Sequence, residues 1–201
     1  MIPLRNLLNG VTASAFACTL SCGAAVSQET VTWKDDVKGW YIGVDRTVGN
    51  GCFLSSIFEG GSLFRMGYFP SDEVFRVMVG DDDWKSLEEG KLYPIEVKFG
   101  NLSPWTGNAS VFIWSDGDKS LVLSLPFEND VAENFIGEFK RMTTVAVNYE
   151  GQEILKLSLK GSFAAADEML RCQLAVSEET QPSTSSDPFS SNGSDNSDPF
   201  D

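Results

Sequence analysis

The chain contains no histidine in 201 residues. That absence excludes Ser-His-Asp and Cys-His nucleophilic mechanisms and the ordinary histidine-ligated zinc site. It also removes the usual proton carrier near neutral pH. Chemistry run by carboxylates, Lys or Tyr alone stays open, so a histidine-free carboxylate hydrolase ranks third among the functional readings. Bases are scarce as well: 15 Lys and Arg face 29 Asp and Glu, for a formal charge of −14. Nucleic acid and anionic lipid both require a basic footprint, so neither is an expected partner. No metal-ligand or cofactor pattern is present, and none is expected.

Charge is nearly missing from residues 1–27, where Arg5 stands alone before Glu29. An apolar, small-residue stretch runs from Leu7 to Leu20, and Ala25-Val26-Ser27 supplies a small-x-small exit. This is the pattern of a cleaved export signal. Asn9, Gly10, Thr12, Ser14 and Thr19 make the stretch too polar for a good spanning helix. Cys18 and Cys22 lack the aliphatic residue three positions earlier that lipidation favours, being preceded by Ala15-Phe16-Ala17 and Thr19-Leu20-Ser21. The expected organisation is a signal peptide over 1–27, one β-rich domain over 28–176 and an acidic Ser/Asp/Pro/Phe tail over 177–201. The expected location is the periplasm or the extracellular space, with no stable membrane insertion once the signal is gone. Only Cys52 and Cys172 then remain, and an oxidising compartment favours a disulfide between them.

The domain alternates short β-like runs with turn clusters. Strands are expected at 40–44, 52–58, 62–69 and 74–79, the last with Phe75, Val77 and Val79 on one face and Arg76 on the other. A short helix is expected at 83–90, capped by Asp83 and stopped by Gly90. Strands follow at 92–99, 109–115 and 120–125, the last two joined by Asp116-Gly117-Asp118. Val131, Phe135 and Phe139 form an apolar stripe on a helix over 130–142. A hairpin at 143–149 and 153–159 turns at Glu150-Gly151-Gln152, and Ser162 opens a last helix to about Leu174. Ala165, Met169 and Cys172 share one face of that helix and present Cys172 to the sheet. The fold class is mainly β, an antiparallel sandwich or flattened barrel with one or two α-helices, the last packed on the sheet.

Four groups of residues invite a chemical reading. Asp81-Asp82-Asp83 is too consecutive for the staggered oxygens calcium needs, and reads as a solvated turn into a helix cap. Asp116 with Asp118 is the sort of carboxylate pair a glycosidase uses, but nothing places such a pair across a cleft. The loop 101–108 holds Asn101, Trp105, Thr106 and Asn108, a tryptophan among hydroxyl and amide groups that suits a sugar ring. The competing reading folds Trp105 back over the sheet edge. Asn101-Leu102-Ser103 and Asn108-Ala109-Ser110 are glycosylation sequons in a eukaryotic source. The tail repeats Asp187-Pro188-Phe189 as Asp198-Pro199-Phe200, which suits a weak bivalent peptide ligand as well as a solubilising tail.

The run from Val145 to Tyr149 and from Leu157 through Lys160-Gly161-Ser162-Phe163 to Ala166 resembles the ending of small exported bacterial β proteins of the invasion-associated locus B family. The resemblance implies a β-sandwich in the cell envelope with an interaction role, and assigns no site residues. The leading expectation is therefore a non-enzymatic exported interaction protein with an unknown protein or glycan partner. The alternative is a carbohydrate-binding module using Trp105.

Overall fold

The computed structural model describes residues 29–127 and 130–180. Ten antiparallel strands form one sheet in the order β1-β2-β3-β4-β5-β8-β7-β6-β9-β10. They are β1 (Thr30–Lys34), β2 (Tyr41–Asp45), β3 (Gly51–Ile57), β4 (Leu63–Phe69), β5 (Val74–Gly80), β6 (Tyr93–Phe99), β7 (Trp105–Ile113), β8 (Lys119–Pro126), β9 (Thr144–Tyr149) and β10 (Gln152–Ser158). Among the described residues two α-helices accompany the sheet, α1 (Val131–Arg141) and α2 (Ser162–Thr180).

The sheet folds over along β7. Trp105–Ala109 of β7 pair with β6, and Ser110–Ile113 pair with β8. One strand thus serves a larger half-sheet made with β1–β5 and β8 and a smaller one made with β6, β9 and β10, a bend familiar at sandwich corners. Gly107 permits the close approach: a Cβ there would lie 2.5 Å from Leu123 Cδ1 in the facing half. The two inner faces and both helices enclose a single core. Ile42, Leu54, Phe64, Met66 and Val77 come from the larger half, and Ile95, Val97, Phe99, Val145 and Val147 from the smaller.

Helix α1 buries Ala132, Phe135, Ile136 and Phe139 in that core. Phe135 packs edge-on against Phe99, with centroids 4.9 Å apart, and Phe139 stacks on Phe64 at 5.5 Å. Trp40 closes this end, with Phe58, Phe64 and Phe139 around it and its indole N–H donated to the Lys160 carbonyl at 2.9 Å. Helix α2 buries Ala165, Ala166, Met169 and Cys172 completely. Cys52 and Cys172 are disulfide-bonded, tying β3 to α2 with Cα atoms 6.0 Å apart. At the other edge Glu168 of α2 accepts from the Trp33 indole at 2.9 Å and pairs with Lys34, so α2 also holds β1.

Four local expectations change. Residues 83–90 form turns, not a helix. Trp84 and Lys85 amides bond back to Asp81 and Asp83, and Lys119 Nζ takes the Lys85 and Leu87 carbonyls. A single helical turn gains too few bonds to offset its ordering cost when a side chain satisfies the same carbonyls. The strand expected from residue 109 begins at Trp105, because Gly107 marks a packing contact and not a loop. Thr30–Lys34 forms a strand that alternation alone did not single out, and α2 continues past Leu174 to Thr180. No helix among the described residues is long and apolar enough to cross a membrane.

Candidate binding groove

Both helices lie on the inner side of the sheet, so the outer face of the larger half-sheet is left uncovered by either. Strand periodicity assigns its side chains: Ser55 pairs with Arg65 and Arg65 with Met78, while Phe53 opposes Gly43 on one side and Gly67 on the other. The two glycines make a slot. A Cβ at Gly43 would lie 2.7 Å from Phe53 Cζ, and one at Gly67 would lie 2.5 Å from Phe53 Cβ. Phe53 sits in that slot and is only 3% exposed although it faces away from the core.

Arg65 covers it. The guanidinium carbon lies 3.6 Å from the Phe53 ring centroid, and Nη2 donates to Asp45 Oδ2 at 2.9 Å. The two side chains are 13% and 16% exposed. Asp45 is held in turn, because its Oδ1 accepts the Thr47 amide and hydroxyl at 3.1 and 2.6 Å. Arg65 Nε is buried with no hydrogen-bond partner. Burial pulls the Arg65 pKa down and the Asp45 charge opposes that pull. The group remains a cation with a donor to spare. Trp114 stands beside it, 5.9 Å from the guanidinium carbon, with its indole N–H on Ser120 Oγ at 2.8 Å and Phe112 edge-on at 4.8 Å.

Arg65 and Trp114 separate two hollows and line both. The first, about 410 Å³, has Ile57 and Leu63 as apolar wall and Asp81, Asp82, Asp116 and Asp118 at its rim. Its Lys119 is turned onto main-chain carbonyls, and Asp118 pairs with Lys85 at 3.3 Å. Asp81 accepts from Ser62 Oγ at 2.6 Å and Asp116 from the Asp118 amide at 3.2 Å. Asp81, Asp82 and Asp116 have no cationic partner among the described residues. The second hollow, about 520 Å³, is lined by Phe69, Met78, Phe112 and Val122. Arg76 closes it, stacked 4.3 Å over Phe69 and paired with Asp72. Ile57 is 77% exposed and Phe112 43%, so the groove presents apolar side chains to solvent.

The residues named for sugar binding do not form one surface. Trp105 points inward, its indole N–H on Glu138 Oε2 at 2.7 Å and its ring edge-on to Phe135 at 5.4 Å. Thr106 and Asn108 point outward on the opposite face of β7, in a shallow depression with Glu96 and Asn148. Asn101 lies in the exposed turn between β6 and β7. Asp81 and Asp83 shape the turn after β5, and Asp116 and Asp118 the hairpin after β7, which brings two acidic turns to one end of the groove. The motif Asp187, Pro188, Phe189, Asp198, Pro199, Phe200 lies outside the described residues, as does the segment 1–27. Sequence reasoning missed Arg65, Phe53 and Trp114. The available signal was a lone charge in the strand run 62–69, on the face opposite Phe64 and Met66.

Fold and groove together define a class: a folded-over, all-antiparallel β domain, tied to its last helix by a disulfide and open on one outer face. The fold is similar to the crystal structure of invasion associated protein B from Bartonella henselae. The TM-score is 0.46 at 10% identity, over 72% of this chain and 99% of that one. No family model matches the chain, and no curated protein matches it.

Proposed function

We propose that the protein is an exported, non-enzymatic interaction protein that binds its partner across the outer face of the larger half-sheet. The observation that carries this reading is Arg65, a largely buried cation paired with Asp45 between two hollows on a face that neither described helix covers. A fold that needed only stability would place an apolar side chain there, since a buried ion pair rarely repays its desolvation. The exposed Ile57 and Phe112 supply the apolar contact that interface centres use. The Cys52–Cys172 bond supports an oxidising compartment. The lack of histidine supports binding over turnover.

The test is chemical cross-linking in the source cells followed by purification of the wild-type chain and of an Ile57→Ser/Phe112→Ser double variant. Both substitutions fall on exposed side chains and leave the inner core intact. The expected result is a cross-linked species that the double variant loses while its melting temperature stays within a few degrees. Equal cross-linking by the two proteins overturns the groove as the site. A chain recovered from the cytosol with both thiols reduced overturns export.

A further inference from the structure

We infer that the groove recognises an extended segment of a partner protein carrying an Arg or Lys side chain at one end and an apolar side chain at the other. This rests on the groove being the binding face, and adds the chemistry of what it binds. The charge distribution supplies the first half. Asp81, Asp82 and Asp116 line the first hollow with no cationic partner among the described residues, and with Asp118 the carboxylates there outnumber its two cations, Arg65 and Lys119, the latter held on main-chain carbonyls. Ile57 and Leu63 line the same hollow as the carboxylates. A long basic side chain matches this: its methylenes lie on the apolar wall and its head reaches the carboxylates. Trp114 adds a ring face for a cation.

The second hollow supplies the other half. Phe69, Met78, Phe112 and Val122 give it an apolar wall among Thr47, Ser110 and Ser124, and its cations Arg65 and Arg76 are already paired with Asp45 and Asp72. Between the hollows stands Arg65, whose side chain lines both and is paired with Asp45. The floor strand measures the occupant. Leu63 lines the first hollow and Phe69 the second, six steps apart on β4, or roughly 20 Å at the rise of a strand. An extended hexapeptide spans that length, and a small organic cation does not. The formal charge of −14 draws basic partners toward the whole molecule and repels acidic ones. The chain's own acidic tail is thereby the wrong occupant for the first hollow.

The experiment is selection from a library of capped random hexapeptides on the oxidised full chain, at low salt, in parallel with Asp82→Asn/Asp116→Asn and Ile57→Ser/Phe112→Ser variants. Asparagine at 116 keeps an acceptor for the Asp118 amide, and unchanged melting temperatures check the folds. Wild type is expected to enrich Arg or Lys at one position at least fivefold together with an apolar residue three to five positions away. The carboxamide variant is expected to lose the basic preference and bind the selected peptide at least tenfold more weakly, whereas spermidine at the peptide's concentration leaves binding intact. Selection of acidic or uncharged peptides, or of none, overturns the inference, as does equal displacement by spermidine. Peptides without a basic position that still require Ile57 and Phe112 sink the inference alone. Peptides indifferent to that double variant sink the groove with it.

Discussion

Reduction of the Cys52–Cys172 bond should lower stability by about 3–5 kcal/mol while leaving the native structure nearly unchanged. The bridge closes a loop with a sequence separation of 120. The entropy such a closure removes from the unfolded chain corresponds to about 5 kcal/mol at room temperature, and real bridges often deliver less. The native side of the balance is insensitive because α2 has other anchors. Ala165, Ala166 and Met169 are fully buried, Gln173 Oε1 accepts the Cys52 amide at 2.8 Å, and Lys140 of α1 pairs with Asp167. Two thiols in that pocket still pack as small apolar groups. The cost therefore falls on the unfolded state, and the denaturant slope should rise as the freed chain expands. Urea titrations of oxidised and reduced protein, followed by tryptophan fluorescence, give both quantities. At this size the loss corresponds to a fall in melting temperature of roughly 8–15 °C. A difference under about 1 kcal/mol with equal slopes would refute the reasoning, since it would mean the unfolded chain gains nothing from release.

Other perturbations test separate parts of the structure. Trp40→Phe leaves the Lys160 carbonyl without its indole donor and thins an aromatic cluster, so thermal or urea melts should show a loss of about 2 kcal/mol. Gly67→Ala drives a Cβ to 2.7 Å from the Cys52 carbonyl oxygen, which is main chain and cannot step aside. It should cost about 2–3 kcal/mol and displace Phe53 from under Arg65. Glu168 is held below the ordinary carboxylate range, first by the Trp33 indole and then by Lys34, against the opposing effect of burial. Its depressed pKa adds stability above the unfolded value of roughly 4.3, lost as pH falls through the folded value. Glu168→Gln should therefore be less stable at pH 7 and converge with wild type in strong acid. Parallel pH profiles of the two proteins would show that Glu168 carries no such linkage.

Alternation was a reliable guide wherever one strand face is buried and the other wet. Phe75, Val77 and Val79 are all buried as their spacing implied, and Cys172 faces the sheet beside Met169. The groove was illegible for the converse reason. In β3, Cys52, Phe53 and Leu54 are all buried, so periodicity cannot say which side is core. Phe53 is hidden by a side chain from the next strand and by two glycines from its neighbours, and that cover exists only after the strands pair. The loop read over 101–108 failed in the same way: its polar residues look like a turn locally, whereas across the fold Gly107 admits Leu123 and the strand begins at Trp105. Lys119 satisfying the Lys85 and Leu87 carbonyls is likewise a contact between distant segments, and it decides against the helix that local capping favoured.

Arg65 is the residue at which stability and the proposed recognition can be told apart. Its neighbours across the sheet are Ser55 and Met78, and the ring beneath it is Phe53. An unbranched apolar side chain of similar length would cover that ring without burying a charge or stranding an Nε–H. Replacing a buried pair outright is often neutral or stabilising, by up to about 1–4 kcal/mol, whereas removing one partner leaves the other charge uncompensated. The double variant Arg65→Met/Asp45→Asn should thus be at least as stable as wild type in urea, with the asparagine oxygen still available to Thr47. Arg65→Met alone should be the less stable of the two, because Asp45 loses its cation. Both should lose cross-linking to the partner. A double variant destabilised by more than about 2 kcal/mol would make Arg65 a structural strut, and the groove would lose its strongest argument. Stability retained with recognition lost would show a binding group kept at the fold's expense.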